Sequence, residues 1–383
     1  MSWTPQRLDE LGYLSRGRSR HRPRDAAHLY DGPYPFIQTG DVKHAGLYIT
    51  DYQQTYSEAG LEQSGLWPTG TLCITIAANI ADTAILGIDA CFPDSVIGFM
   101  PDEEKADARF VKYLFDATIQ QRVQQFTQGA AQDNLSQEKL LSIEFSVPSL
   151  NEQKRIGDIL SAYDDLIENN RRRMALLEEA ARQLYREWFV RLRFPGHEHT
   201  HIIDGVPERW ERVRLGDRVT LNYGKALKAD DRVEGEYPVF GSSGIVGMHD
   251  KPLVQGPGIA VGRKGNVGSV YWSSKGFYPI DTVYFVGPEC SDLYLYYALK
   301  HMHFISTDGA VPGLNRDFAY SRPLLIPPKS ILREFLETAT PFYAQMEKLD
   351  EVNEKLRAAR DLLLPRLMNG QIVVWPAGAA RRA

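Results

Sequence analysis

The sequence predicts an α+β protein in which one unit occurs twice. Two similar mixed α/β globules alternate with two long helices, which pair as an antiparallel coiled coil about a pseudo-two-fold axis. Three observations predict it: an internal repeat, short β-like runs within each repeat, and an apolar heptad after each globule.

The repeat comes first because it organises the rest. Trp3 and Leu8 have the same spacing as Trp210 and Leu215, and Gly17-Arg18 matches Gly224-Lys225. "CITIAANIADTAIL" (73–86) lines up with "GIAVGRKGNVGSVY" (258–271), and "FPDSVIGF" (92–99) with "PIDTVYFV" (279–286). "QGAAQDNLSQEKLLSIEFSVPS" (128–149) pairs with "DGAVPGLNRDFAYSRPLLIPPK" (308–329) across one gap. Five segments follow: a first globule (1–148), a central long helix (149–194), a second globule (195–327), a C-terminal long helix (328–375) and a tail (376–383). Inside each globule, runs such as "TLCITIA" and "GIAVGR" alternate apolar and polar residues or form short buried stretches, broken by Gly and Pro.

The first long helix carries a four–three apolar spacing that includes Ile156, Leu160, Ile167, Met174, Leu177 and Leu184. The spacing Ser149-x-x-Glu152 predicts a capping box at its start, and Pro195-Gly196 its stop. In the second, Phe335, Phe342, Met346, Leu349, Leu356 and Leu363 form the seam, which weakens at Asn353 and Arg360. Pro365 is expected to kink or end it, with Gly370 following as a C-terminal cap. A helix over 151–193 is about 65 Å long, whereas a globule of this size is only about 35–40 Å across. Packing wholly on its own globule is therefore disfavoured, and the seam needs the other helix. The short connections through the second globule make the pair antiparallel.

Composition narrows the function. No run approaches 18 uninterrupted apolar residues, so no membrane span is expected. The N-terminus has no apolar export signal. The odd, scattered cysteines (Cys73, Cys91, Cys290) fit a reducing cytoplasm. A net charge of −5 speaks weakly against nucleic acid, and the first globule, with 12 basic and 19 acidic residues, is more acidic than the second, with 14 and 15. Only a local basic face has to meet phosphate, so this does not exclude DNA. There is no G-x-x-x-x-G-K-[ST] phosphate loop, no N-P-P-[YF] segment and no nucleophile elbow. "PDEEK" (101–105) reads as a charged loop rather than a nuclease site, and "HEHTH" (197–201) as a polar linker rather than a metal site. No catalytic or metal-binding residue is assigned.

"PSLNEQKRIGDIL", "LYREWFVRLRFPGHE", "GVPERWERVRLGD", "EGEYPVFGSSGIVG", "VGRKGNVGSVY", "GAVPGLNR" and "LLLPRLMNGQI" together resemble the specificity (S) subunit of type I restriction–modification systems. The resemblance covers nearly all of residues 1–375. It implies two target-recognition domains that each read half of a bipartite sequence in double-stranded DNA. It also implies a coiled coil that sets the gap, two methyltransferase (M) subunits docked along it, and restriction (R) subunits in the larger complex. The chain itself would be non-catalytic and carry no cofactor, S-adenosylmethionine belonging to the methyltransferase partner. The first globule departs from the pattern, with "AANIAD" where the second has "GRKGNVG". A coiled-coil scaffold with two protein- or carbohydrate-binding heads is the competing reading.

Within that resemblance, Arg263 and Lys264 lie on a Gly-flanked turn, where arginine can bind guanine O6/N7 with two N–H groups. Lys225, Ser242, Ser243, Asn266, Asn315 and Arg316 join them as expected DNA contacts. In "SRGRSRHRPRD" (15–25) alternate arginines, among them Arg18, Arg20 and Arg22, would line one side of an extended segment and suit phosphate or the minor groove. Lys43, Asn79, Gln128, Gln132 and Asn134 complete the first-globule set. Ordinary turn chemistry or a solvated loop explains the same letters without a ligand.

Overall fold

A computed structural model describes residues 3–77, 80–126, 136–304 and 313–374. Its contacts divide the chain into two compact units: Met1–Arg172 with Leu349–Ala383, and Arg173–Lys348. Each unit holds one globule and part of each long helix.

In unit 1 a five-stranded sheet has the order Gly12–Arg16, Val96–Pro101, Leu72–Thr75, Thr83–Leu86, Tyr48–Ile49. All neighbours are antiparallel except the last pair. Side chains alternate between two buried layers, as a two-residue period demands. Leu72, Ile74, Ile85, Ile97 and Phe99 pack under the helix Ala108–Phe126, against Phe110, Val111 and Leu114. Cys73, Ala84, Leu86 and Val96 face a second layer with Ile37, Val42 and Phe92. With both faces covered, "LCIT" reads as a continuous buried run.

Unit 2 repeats this plan with four strands, Asn222–Tyr223, Val283–Val286, Gly258–Gly262 and Val270–Ser273. Ile259, Val261, Tyr284 and Val286 face the helix Leu293–His301, while Ala260 and Val283 face Phe240, Val254 and Phe277. The pairings match strand for strand. Ile74↔Thr83 and Thr75↔Val96 in unit 1 correspond to Val261↔Val270 and Gly262↔Val283 in unit 2. This sets Ile76 against Arg263 and Ala81 against Gly268, a register two residues away from the letter-by-letter alignment of that stretch. Hydrogen bonding decides the register, because letters inside short apolar runs are interchangeable.

The long helices run over Leu150–Tyr185, extended by a π-helical turn Arg186–Val190, and over Lys329–Met368. Within unit 1, the early part of the first meets the late part of the second, antiparallel. Asn170 Nδ2 donates to Asn353 Oδ1 at 2.9 Å, and Asp164 pairs with Arg360. Within unit 2, Phe189 and Phe335 meet edge-on with ring centroids 5.0 Å apart. Ile156, Leu160, Leu367 and Met368 belong to the unit 1 core, and Ala181, Tyr185, Phe335, Ala339 and Tyr343 to that of unit 2. The helices thus pack on their own globules as well as on each other, more than their length alone predicts. Met174, Leu177, Leu184, Phe342, Met346, Leu349, Leu356 and Leu363 are partly buried.

Three end signals need correction. The first helix ends at Val190, and the left-handed Leu192 (φ 58°), with Arg193 N bonded to Glu187 O, turns the chain away ahead of Pro195-Gly196. At its start the Ser149 carbonyl accepts from the Glu152 and Gln153 N–H groups, a backbone turn rather than a side-chain box. The second helix runs on past Pro365 to Met368, although Pro365 has no N–H to give the Asp361 carbonyl; Leu367 and Met368, buried beyond it, anchor the last turn in the core. Gly370 follows with φ 71°, as a C-terminal cap requires.

Candidate nucleic-acid interface

In unit 2 the turn 262–269 is closed by two main-chain bonds, Gly262 N to Ser269 O at 2.7 Å and Gly268 N to Gly262 O at 2.9 Å. Gly265 and Gly268 both have φ 77°, the left-handed region that glycine adopts without strain. The closed turn projects Arg263, Lys264 and Asn266 from the sheet edge; Lys264 and Asn266 are exposed. Arg263 Nε and Nη2 both donate to the Asp281 carbonyl, at 3.3 and 2.9 Å. Its guanidinium also lies 5.2 Å from the ring centre of Tyr223, and that of Arg316 lies 5.2 Å from the same ring. Tyr223 is 52% exposed, so two cations flank an accessible aromatic face. Behind it, burial first, and then Tyr223, push the Tyr284 phenol up to about 12, while Arg263 and Arg316 pull it down.

Lys225, exposed, follows Tyr223 by two residues. Ser242 sits beside the turn: a Cβ on Gly265 would lie 3.0 Å from its Oγ. The Ser242 carbonyl accepts from the Ser269 and Tyr271 hydroxyls, and Ser243 is exposed. Asn315 has a local task, its Oδ1 capping the helix Arg316–Ser321 by accepting from the Asp317 and Phe318 N–H groups. It holds Arg316 in place and is itself partly committed. Tyr223 was missed by sequence reasoning; its signal was its place just before Gly224-Lys225 in the repeat.

Unit 1 builds the same turn from other letters. Thr75 N bonds to Asp82 O and Ala81 N to Thr75 O, and Ala81 takes φ 69°. Asn79 and, further on, Gln128, Gln132 and Asn134 lie outside the described residues. The alternating arginines do not form one extended side. The strand ends at Arg16, and Gly17 N and Arg18 N turn to Val96 O and Phe92 O. Arg22 Nη1 folds back on the carbonyls of Ser19 and His21, and Arg24 pairs with the Asp94 carboxylate at 2.8 Å. Main-chain carbonyls and the Asp94 carboxylate thus claim three of the five arginines, Arg16, Arg22 and Arg24. Arg18 and Arg20 stay exposed. Arg16 and Arg18 line a shallow groove of about 210 Å³ with Tyr13, Leu66 and Trp67. Lys43 is exposed and lines a different groove, among Asp82, Asp116 and Asp164.

A duplicated α+β chain with paired long helices and an arginine–tyrosine face on a glycine turn is the class these observations define. A family model, the type I restriction modification DNA specificity domain, matches residues 2–179 and 207–357, and the chain belongs to that family. The MjaIX type I restriction enzyme specificity subunit of Methanocaldococcus jannaschii is 22% identical over 414 residues, spanning 97% of this chain and 94% of its own. The HindI specificity subunit of Haemophilus influenzae is 21% identical over 460 residues, spanning 94% and 98%. The crystal structure of a type I S subunit from M. genitalium superposes with a TM-score of 0.59 at 17% identity over 96% of each chain, a likeness of fold. Among the described residues, no helix is long and apolar enough to cross a membrane.

Proposed function

We propose that this chain reads a bipartite sequence in double-stranded DNA, each unit taking one half, and presents that DNA to methyltransferase subunits. In this reading the chain carries no catalytic group and no cofactor; S-adenosylmethionine is bound by the methyltransferase partner. Two methyltransferase subunits dock along the helices, and restriction subunits join them. The observation that supports it most is the duplication: the same turn at the same sheet edge occurs in both units, closed by the same bonds, but with different side chains. A repeated frame with unlike contact residues is what two unlike half-sites call for. Lysines and exposed arginines supply the phosphate contacts that set position, and side chains on the turns supply the base contacts that set sequence.

The test is co-expression with the methyltransferase encoded beside it, followed by sequencing of methylated sites. The expected result is a two-part motif with a constant gap, and cognate binding that falls steeply with salt. Absence of co-purification, or equal binding to random and cognate duplex, would instead favour a scaffold. The helices' part in setting the gap has its own check. A seven-residue insertion in one helix should break the pairing, whereas matched insertions in both should lengthen the gap.

A further inference from the structure

The two units place a guanidinium on the same main-chain atom by different routes. In unit 2, Arg263 Nε and Nη2 bond to the Asp281 carbonyl. In unit 1, Arg16 Nε and Nη2 bond to the Asp94 carbonyl, at 2.9 and 2.7 Å. Asp94 and Asp281 are equivalent, since Val96 and Val283 two residues on hold the same pairing position. The arginines are not equivalent. Arg16 pairs with Ile97 and Tyr223 with Tyr284, so Arg16 occupies the slot of Tyr223. The slot of Arg263 is held in unit 1 by Ile76, which is 5% exposed and belongs to the core. Ile76 follows Leu72–Thr75, and the strand Gly12–Arg16, on the far side of Val96–Pro101, supplies the arginine that reaches the equivalent carbonyl.

Coincidence of a surface arginine with a carbonyl is common. Recurrence of the same two-nitrogen contact at the duplicated position, from a different strand, is not expected of solvated side chains. The contact has a chemical consequence. A guanidinium has five N–H groups, and this carbonyl takes two, leaving the outer Nη1/Nη2 edge to donate outward. Fixing the plane beforehand removes side-chain entropy that binding would otherwise cost. Arg16 is among the residues that line a groove with Tyr13, Trp67 and Arg18, in which Tyr13 and Trp67 stack with centroids 6.3 Å apart. Arg263 lies over the ring of Tyr223. Arg263 therefore sits beside an aromatic and a second cation, Arg316, while Arg16 shares a groove with a second cation, Arg18.

We propose that Arg16 is a DNA-contacting arginine of unit 1, holding the post that Arg263 holds in unit 2. Each offers a preoriented two-pronged donor to a pair of acceptors on DNA, a guanine edge or two phosphate oxygens. This rests on the DNA-reading function above, and its test keeps the two apart. The full chain, co-purified with its methyltransferase, is first mapped for its methylated motif. If the unaltered complex shows no sequence preference, the function itself falls.

Given a two-part motif, Arg16→Ala should weaken cognate binding roughly 10- to 100-fold. A guanine acceptor shows as relaxation of one position in one half-site, with Arg263→Ala relaxing a position in the other half. A phosphate acceptor shows as an unchanged motif with a salt slope shallower by about one. Arg16→Lys should not rescue, because one ammonium cannot hold the carbonyl and present a fork. Should Arg16→Ala not co-purify, Arg16→Lys carries the affinity and motif readouts, the charge and hence the salt slope being kept. The proposal is overturned if Arg16→Ala leaves affinity, motif and salt slope unchanged, if Arg16→Lys leaves affinity and motif unchanged, or if the Arg16 and Arg263 variants alter the same half-site.

Discussion

The helix pairs of the two units are held together by different chemistry. In unit 1 polar contacts stand beside the apolar ones of Ile156, Leu160, Leu367 and Met368. Asn170 Nδ2 donates to Asn353 Oδ1 while both residues are buried, Asn353 Nδ2 donates to the Ile167 carbonyl, and Asp164 accepts from both Tyr113 and Arg360. Burial pulls the Arg360 guanidinium down, but Asp164 and Asp361 outweigh it and the group stays charged. In unit 2 the contacts are aromatic: Tyr185, Trp188, Phe189 and Phe335 interlock, while the Tyr343 hydroxyl lies 2.9 Å from that of Tyr297 on the globule helix Leu293–His301. The difference separates adhesion from register. Rings contribute stability by burying area and tolerate small slips, whereas a buried amide pair satisfies itself in only one alignment.

Substitutions that break this contrast should rank in a definite order. Phe335→Ala removes the ring at the centre of the unit 2 cluster and should cost about 3–5 kcal/mol in denaturant unfolding, read through nearby Trp188 and Trp210. An unchanged midpoint would show that the aromatic contact carries little of unit 2's stability. Gly268→Ala should cost about 2–4 kcal/mol, since its Cβ would stand 2.7 Å from the Phe304 carbonyl oxygen at a left-handed φ.

Asn353→Ala leaves the Asn170 amide buried without its partner and should cost about 1–3 kcal/mol. Replacing both with leucine should return stability to within about 1 kcal/mol while loosening the choice of register, seen as a second cross-linking pattern between helix cysteines. A single pattern in the double variant would remove the register role from this pair. The smallest effect belongs to the unit 1 turn. Ala81→Gly should stabilise by about 0.5–1 kcal/mol in a thermal melt, because it relieves the left-handed strain that Gly268 avoids in the equivalent turn.

Much of the plan was legible in the letters. The duplication, the two seams and their antiparallel sense followed from spacing and chain length, and "FPDSVIGF" against "PIDTVYFV" already paired Asp94 with Asp281. The seam positions that looked weakest, Asn353 and Arg360, turned out to be paired, because a polar residue's cost depends on a partner that the linear pattern does not name. The expected arginine row dissolved for a similar reason. Alternation predicts a shared side only if the backbone stays extended, and it turns away after Arg16.

Local order, then, was the sequence's own: periodic apolar residues bury one face of whatever helix or strand they form, and glycine permits the left-handed turns. The tertiary structure alone decided which side chain reaches which carbonyl. Arg16 and Arg263 occupy unrelated places in the repeat, yet a folded sheet edge brings both guanidiniums to the same kind of oxygen, a coincidence of space that sequence register does not encode.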